Sequence, residues 1–282
     1  MAVDSKLYWQ RVGHVEVENA NGRMVSYSGL DFKFKVKSCG DIYQDFSVSI
    51  LGLSSDTIND LTVWSPARAI ERPRRITVYG GYANSGEELI ATGYIWYAIP
   101  TNPPDMWMTF ECKHFLILEE NVKEPKTLTD KTLEEVFKAV ATETELRADF
   151  RASGASDKIP SFEISGRKDA LVRKFSKTFT KTVFDNAGML VCIDNHGERR
   201  EPNRVVRVDT NNGLLSVGNI DMVGARLTTR LRTDIGLCEW IHLTSALIPS
   251  ASGDYFVIEK ELKGHYRGDQ WQSEFRCLRK AG

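Results

Sequence analysis

The chain has 282 residues and a mass of 31.9 kDa, and at roughly 100 to 200 residues per domain this length predicts two or three domains and excludes one small module. Apolar residues make up 41% and charged residues 27% of the chain, which excludes a disordered or fibrous protein. The 37 basic and 38 acidic residues leave a formal net charge of −1, so no global field draws the chain to nucleic acid or to an anionic membrane.

Residues 1–117 alternate apolar and polar side chains with a period of two, the pattern of half-buried antiparallel strands. Phe32, Phe34 and Val36 alternate with lysines, and the run Met106–Cys112 alternates in the same way. Turn residues such as Asn102–Asp105 separate these runs. The pattern predicts a first β domain over 1–117, built as a barrel or a sandwich.

The period changes after Pro125 and predicts a small α+β unit over 118–203. Thr132–Glu135 can form a capping box, and it opens an amphipathic helix whose apolar stripe is Leu133, Val136, Phe137 and Val140. A second helix is predicted around Leu171–Phe175. Three strands complete the unit, at Ser161–Ile164, Thr182–Phe184 and Met189–Ile193.

Strand patterns return over residues 204–282 and predict a second β domain. The clearest strand holds Trp271, Ser273, Phe275 and Cys277 on one face, and the turn Arg267–Asp269 connects it to the preceding strand as a hairpin. The predicted fold class is therefore mainly β with an α+β insertion, in which two antiparallel β-barrel-like domains flank a small α+β unit.

Cysteine and histidine residues are the first candidates for chemistry. The five cysteines are odd in number and far apart, which indicates reduced thiols rather than a disulfide framework. Cys112 and His114 share a strand face and allow two interpretations, a thiolate-imidazole pair or the more usual buried Cys beside a rim His. Asp194 and His196 lie in a polar turn, which favours a solvated loop.

The chain lacks the sequence patterns of two common kinds of site. The cysteines and histidines have no zinc-ligand spacing. Gly80-Gly81-Tyr82 is followed by neither the Lys-Ser/Thr pair nor the helix of a phosphate-binding loop. We therefore expect no catalytic residue, no bound metal and no cofactor.

Two basic clusters stand out against the neutral whole: Arg68, Arg72, Arg74 and Arg75, and later Arg199, Arg200, Arg204 and Arg207. Arginine makes bidentate contacts to carboxylates and phosphates, so these clusters could meet an acidic partner or a phosphate backbone. Solvated loop charges are the other interpretation, because exposed arginines are common. Four arginines within eight positions cannot be buried without paired acids, so we expect Arg68 to Arg75 to face a partner rather than a core.

The N-terminal stretch 1–17 turns polar within a few residues, and no apolar run approaches the roughly 18 residues of a membrane-spanning helix. We therefore expect neither a signal peptide nor a membrane span, and we expect the protein to stay in an aqueous compartment.

Several of these stretches resemble a known family. Val78–Tyr82, Leu89–Ile95 and Pro103–Trp107 follow the order of a strand ending in Gly-Tyr, a strand with a central Gly, and a Pro-Pro-Asp turn. This order resembles the first β domain of baseplate hub proteins of contractile-tailed phages. Thr132–Phe137 is similar to the helix start in the small inserted unit of those hubs.

The last part of the chain is similar to the second β domain of the same hubs, the late control D-like tail hub family. The matching stretches are Gly213–Leu215, Ile241–Ser245, Gly253–Tyr255 and Gly268–Trp271. The resemblance spans nearly the whole chain and rests on turn and strand patterns.

The resemblance implies a structural role without an active site. It implies a homotrimer whose two tube-like β domains per chain make a ring of six, which joins a six-fold tail tube to a three-fold central spike. The partners would be the spike, the tube or a tube-initiator protein, and other baseplate proteins, with nucleic acid only passing through the central channel. The protein would be assembled in the host cytoplasm and would reside in the virion baseplate.

The ring implies that 1–117 and 204–282 have related architectures and that the α+β unit lies outside the ring. Two other functions stay open from the sequence. The first is a β-rich module that binds carbohydrate or another tail component through exposed aromatics such as Trp107 and Trp271. The second is a hydrolase in which Cys112 or His242 works.

Overall fold

The structure is a computed structural model that describes residues 9–39, 45–114, 120–186, 189–194, 205–218 and 224–279, without the side chains of Cys39, Arg68, Asp185 and Asn186. The chain divides into two compact units. Unit 1 comprises Met1–Ser38, Asp45–His114 and Arg204–Gly282, and unit 2 comprises Cys39–Gln44 and Phe115–Asn203. The protein is mainly β, as predicted, and the three-domain division at 117–118 and 203–204 stays a prediction.

In the first part of unit 1 the described residues form seven strands and two short helices. The strands are β1 (Arg11–Glu18), β2 (Met24–Ser28), β3 (Phe32–Cys39), β4 (Asp45–Leu51), β5 (Arg75–Tyr82), β6 (Gly86–Pro100) and β7 (Trp107–Lys113). The helices are α1 (Ser55–Leu61) and α2 (Pro66–Glu71). The predicted alternation is confirmed in β3, where Phe32, Phe34 and Val36 are buried and the lysines between them are exposed.

In the later part of unit 1 the described residues form six further strands and a 3₁₀ helix at Pro249–Ala251. The strands are β13 (Val205–Val208), β14 (Leu214–Gly218), β15 (Gly224–Arg230), β16 (Trp240–Leu243), β17 (Gly253–His265) and β18 (Trp271–Arg279). The hairpin of β17 and β18 is confirmed by their antiparallel pairing from Tyr255–Arg279 to Gly264–Trp271. The described strands of unit 1 form one sheet, whose order of neighbours runs from β14 at one end to β2 at the other. Among the described residues, this sheet does not close into a barrel.

The two strand groups of unit 1 share one topology. The order β1-β5-β6-β7-β4-β3 is matched by β13-β16-β17-β18-β15-β14, and β2 is an addition to the outer edge of β1. Neighbouring strands are antiparallel at every equivalent pair of the two groups except one. The exception is the first pair, since β1 is antiparallel to β5 whereas β13 is parallel to β16. We call β1 and β3–β7 the first repeat and β13–β18 the second repeat.

The register of the two repeats also agrees residue by residue. Ile95 of β6 lies opposite Cys112 of β7, and the pairing then shifts by one residue at a bulge. In the second repeat Val257 lies opposite Cys277, and the same shift follows directly. The amide of Ile95 donates to the carbonyl of Arg74 at 2.9 Å, and the amide of Val257 makes the equivalent bond to Glu239 at 3.0 Å. Bulges are specific local features, so their coincidence indicates two copies of one fold.

The repeats meet where β17 runs beside β3. The amide of Tyr266 donates to the carbonyl of Phe32 at 2.9 Å, and Lys35 pairs with Glu261 at 3.3 Å. The second repeat has its own buried cluster but also supplies Leu231, Leu262 and Trp271 to the core of the first. This continuous core joins the repeats through burial of apolar surface as well as through strand pairing.

The described residues of unit 2 form two helices and five strands. The helices are α3 (Leu133–Glu143) and α4 (Lys168–Phe179), and the strands are β8 (Lys126–Thr132), β9 (Arg147–Phe150), β10 (Lys158–Ile164), β11 (Lys181–Asn186) and β12 (Met189–Asp194). The predicted capping box is confirmed. Thr132 Oγ1 accepts from the amide of Glu135 at 3.2 Å, and Glu135 Oε2 accepts from the amide of Thr132 at 2.9 Å. The predicted apolar stripe is buried, with Phe137 centred 5.3 Å from Phe175 of α4.

Candidate functional site

The predicted basic cluster follows α1 and divides into side chains with different roles. Arg72 is exposed and has no hydrogen bond or ion pair with another described residue. Arg74 is half-buried, and its Nη1 donates to the carbonyl of Asp60 at 2.5 Å. Arg75 is exposed, with its guanidinium 5.9 Å from the ring centroid of Tyr94. Arg72 is therefore available to a partner, whereas Arg75 already interacts with Tyr94 and Arg74 braces the end of α1.

The other basic candidates fall largely beyond the described part of the chain. Arg68 lies in α2, but its side chain is outside the described residues. Arg199, Arg200 and Arg204 are outside them as well, and Arg207 lies exposed on β13. The assignment of the first cluster to a partner surface stays a prediction.

Two exposed apolar side chains lie beside these arginines and were missed by sequence reasoning. Trp64 exposes 66% and Ile70 exposes 46% of its surface. The inner side of the same segment is buried, with Leu61, Val63 and Ala69 in the core of the first repeat. The signal was the pair Ser65-Pro66, since proline is favoured at the first position of a helix. Ile70 lies on the outer side of this helix, which an alternating strand pattern does not indicate. Trp64 lies in the connection between α1 and α2.

Cys112 and His114 lack the properties of a nucleophile and its base. Burial raises the pKa of the Cys112 thiol well above its ordinary value, and the nearby carboxylates of Glu111 and Asp45 add to this effect. Burial lowers the pKa of His114 to about 4. A reactive cysteine needs a lowered thiol pKa and access to solvent. The structure therefore favours the interpretation of Cys112 as a core residue, like its equivalent Cys277.

His242 makes a cross-strand pair rather than a catalytic array. Its Nδ1 lies 2.7 Å from Asp254 Oδ1 at an exposed position of β16 and β17. The equivalent positions of the first repeat are Thr77 and Thr92, whose hydroxyl oxygens lie 3.1 Å apart. Directly opposed side chains in a sheet commonly interact in this way, so the pair has an ordinary structural explanation.

Asp194 of unit 2 is held by hydrogen bonds, and His196 lies outside the described residues. Asp194 pairs with Lys181 and accepts from the amide and the hydroxyl of Ser153 at 2.8 and 2.9 Å. Burial raises the pKa of Asp194, but the bonds from Lys181 and Ser153 outweigh it and hold that pKa below its ordinary value. The carboxylate therefore stays charged and ties β12 to Ser153.

The aromatic residues of the carbohydrate hypothesis are less exposed than predicted. Trp271 is only 4% exposed, because its ring packs edge-to-face on Phe34 at 5.3 Å in the core of the first repeat. Trp107 is half-buried, and the ammonium of Lys33 lies 3.9 Å from its ring centroid. The expectation that Trp271 is exposed is wrong, since the other repeat covers it.

A polar cleft of about 480 Å³ lies over β17, β3 and β4 and is lined by lysines and serines. Lys35 pairs with Glu261 at 3.3 Å, and Lys263 pairs with Glu261 and Glu274 at 2.9 and 3.0 Å. The third lining lysine, Lys33, lies over the ring of Trp107, so each lysine of the cleft already has a partner within the protein.

The described residues also bear on metal binding and on membrane crossing. No group of three or more His, Cys, Asp or Glu side chains among them is arranged to hold a metal ion. None of the described helices has the length and the apolar composition that crossing a membrane requires. None of the four cysteines whose side chains are described, Cys112, Cys192, Cys238 and Cys277, forms a disulfide.

Three solved structures share the fold at low sequence identity. The 43 kDa tail protein of prophage MuSo2 from Shewanella oneidensis has a TM-score of 0.64 and 9% identity, and the match covers 95% of this chain and 98% of that one. A tail protein from Neisseria meningitidis has a TM-score of 0.63 and 10% identity, over 95% and 96% of the two chains.

The third structure is the c3393 protein of E. coli, described as a component of the type VI secretion system with structural similarity to the T4 tail proteins gp27 and gp5. It has a TM-score of 0.61 and 7% identity, over 94% of this chain and 77% of that one. A sequence search among curated proteins finds no match. The family model for baseplate hub gp41 matches residues 14–276, nearly the whole chain. The chain therefore belongs to the baseplate hub gp41 family of phage tail proteins.

Proposed function

We propose that the chain is a trimeric adaptor of a contractile phage tail, which joins the six-fold tail tube to the three-fold central spike. The observation that carries this proposal is the internal repeat of unit 1. Three chains with two copies of one fold each can offer six similar surfaces to a tube ring and still form a closed three-fold assembly. The repeat thus supplies the symmetry conversion that the adaptor needs.

The contact between the repeats of one chain supports a head-to-tail ring. β17 of the second repeat runs beside β3 of the first, so each chain already contains one such contact. The equivalent of β3 in the second repeat is β14, which ends the described strand order. An edge strand in this position has to be covered to avoid uncontrolled pairing. We propose that the neighbouring chain covers it.

The proposed role is structural and requires neither catalysis nor a cofactor. The properties of Cys112 and His242 support this part of the proposal, because the thiol is buried and the imidazole belongs to a cross-strand pair. The partners are two further copies of the chain, the spike, the tube or a tube-initiator protein, and other baseplate proteins. The chain would assemble in the host cytoplasm and reside in the virion baseplate, and nucleic acid would pass only through the ring.

The oligomeric state tests this function. Sedimentation of the purified chain, alone and with the spike protein of the same virion, is expected to show complexes that contain three copies of the chain. Three chains of 31.9 kDa give about 96 kDa, to which the mass of any bound spike is added. The trimer forms in the absence of the spike or on its addition. A single monomeric species under both conditions contradicts the adaptor function.

A further inference from the structure

The two repeats differ most in the connection between their third and fourth strands in chain order. In the first repeat, 23 residues (52–74) connect β4 to β5 and contain α1 and α2. In the second repeat, nine residues (231–239) connect β15 to β16. We call residues 52–74 the helical insertion. Since the surrounding strands agree in register, the helical insertion is the main feature that distinguishes the first repeat from the second.

The helical insertion also changes the edge of β6. Val63 and Ala98 exchange two backbone hydrogen bonds, of 2.9 and 3.0 Å. By register, Ala98 is the equivalent of Lys260 on β17, the strand that runs beside β3. In the first repeat, the helical insertion therefore covers this edge of β6. In the second repeat, the equivalent edge of β17 pairs with β3 and forms the junction between the repeats. In a ring of three chains, the junctions within a chain would therefore differ from the junctions between chains. Such a ring has three-fold rather than six-fold symmetry.

The outer side of the helical insertion has the composition of a binding surface. Trp64 and Ile70 are exposed by 66% and 46%, and Arg72 beside them is exposed and unpaired among the described residues. Tryptophan and arginine are enriched among the residues that dominate binding energy. The backbone beneath them is fixed, because Ile58 and Leu61 are buried and Arg74 bonds the carbonyl of Asp60. A rigid surface loses little entropy on binding.

We propose that the outer side of the helical insertion, with Trp64, Ile70 and Arg72, is the docking surface for the three-fold spike. This inference rests on the adaptor function proposed above. A tube ring must contact features that both repeats share, whereas a three-fold partner must contact a feature that only one repeat has. Within residues 62–75 the exposed cations with described side chains are Arg72 and Arg75, of which Arg72 has no partner among the described residues, and the single acid is Glu71. The complementary surface of the spike is therefore acidic, with an apolar pocket for Trp64.

The test compares Trp64→Ala, Arg72→Glu and the control Leu247→Ala. Leu247 is 87% exposed in the second repeat and is a matched site for losing an exposed apolar side chain. Binding of each purified variant is measured against the purified spike protein and, separately, the purified tube protein of the same virion. Thermal unfolding is recorded for each variant, and all three are expected to unfold like the wild type because the changed side chains are exposed.

Trp64→Ala is expected to weaken spike binding roughly 30-fold and to leave tube binding unchanged. Arg72→Glu is expected to weaken spike binding most at low salt, where charges are least screened. Wild-type spike binding by both variants overturns the inference, as does an equal loss in Leu247→Ala or an equal loss of tube binding. A wild-type chain that binds no spike overturns the adaptor function as well, whereas spike binding that ignores Trp64 and Arg72 overturns this inference alone.

Discussion

The junction between the repeats can be tested at Gly264, where β17 passes the ring of Phe34 on β3. A Cβ atom at this position would lie 2.8 Å from Phe34 Cδ1 and still closer to Cε1 and Cζ. Non-bonded carbon atoms prefer separations of about 3.5–4.0 Å. Gly264→Ala therefore requires the ring of Phe34 to move by roughly 1 Å or more.

The surroundings of Phe34 resist that movement. The side chain is buried, its ring lies 5.3 Å from that of Trp271 in an edge-to-face contact, and Phe32 is centred 6.4 Å away. Inserting a methyl group into a packed core typically costs about 1–3 kcal/mol. We therefore expect Gly264→Ala to lower the free energy of unfolding of unit 1 by about 1–3 kcal/mol.

Urea unfolding followed by circular dichroism measures this change. Gly218→Ala is the matched control, because it lies at the end of β14 and a Cβ atom there meets nothing within 4 Å. The control is expected to change stability by no more than about 1 kcal/mol. In the background Phe34→Leu, Gly264→Ala should cost less, since the two residues touch. A Gly264→Ala protein that unfolds at the wild-type urea concentration refutes the packing described at this junction.

Three further predictions concern single side chains. Cys112→Ala and His242→Ala should support phage production whenever the variants fold, and a variant that assembles but blocks infection would restore the enzyme hypothesis. The pKa of His114 is lowered to about 4 in the folded protein, so the unfolded chain takes up a proton at a higher pH than the folded protein does. We therefore expect the free energy of unfolding to fall by up to about 3 kcal/mol as the pH falls from 6.5 towards 4. An NMR titration of this imidazole with a midpoint above 6 contradicts the prediction. Arg74→Glu should lower the unfolding temperature, because Arg74 donates a hydrogen bond to the carbonyl of Asp60. Arg72→Glu should leave it unchanged. Equal unfolding temperatures of the two variants would argue against separate roles of the two arginines.

The elements with strong local signals could be predicted from the sequence. The alternation in β3 and the capping box of Thr132 and Glu135 depend on neighbouring residues, and both are present as predicted. Helices α1 and α2 were not indicated, since each has fewer than eight residues and shows about two turns of periodicity. Short helices of this kind depend on tertiary packing, here of Ile58 and Leu61 against the sheet.

The internal repeat and the environment of Trp271 required the structure. The repeats share the short pattern Phe110-Glu111-Cys112 and Phe275-Arg276-Cys277, which is too brief to reveal six equivalent strands. Strand pairing joins residues far apart in sequence. A local alternation of apolar residues indicates which face of a strand is buried, but it does not indicate which strand is the neighbour. Trp271 lies in an alternating pattern that indicates a strand with one buried face. The side chain that buries its ring is Phe34 of the first repeat, which lies more than 200 residues earlier in the sequence.

The central claim is that two repeats of one chain alternate around a ring of three chains. Electron cryo-microscopy of the chain bound to its spike tests it most directly. We expect three copies of the chain, with first and second repeats alternating at equal radius around the spike axis and superposing after a rotation of about 60°, as three-fold symmetry with two repeats per chain requires. A ring of six chains, or a ring in which only one repeat of each chain takes part, would contradict the account.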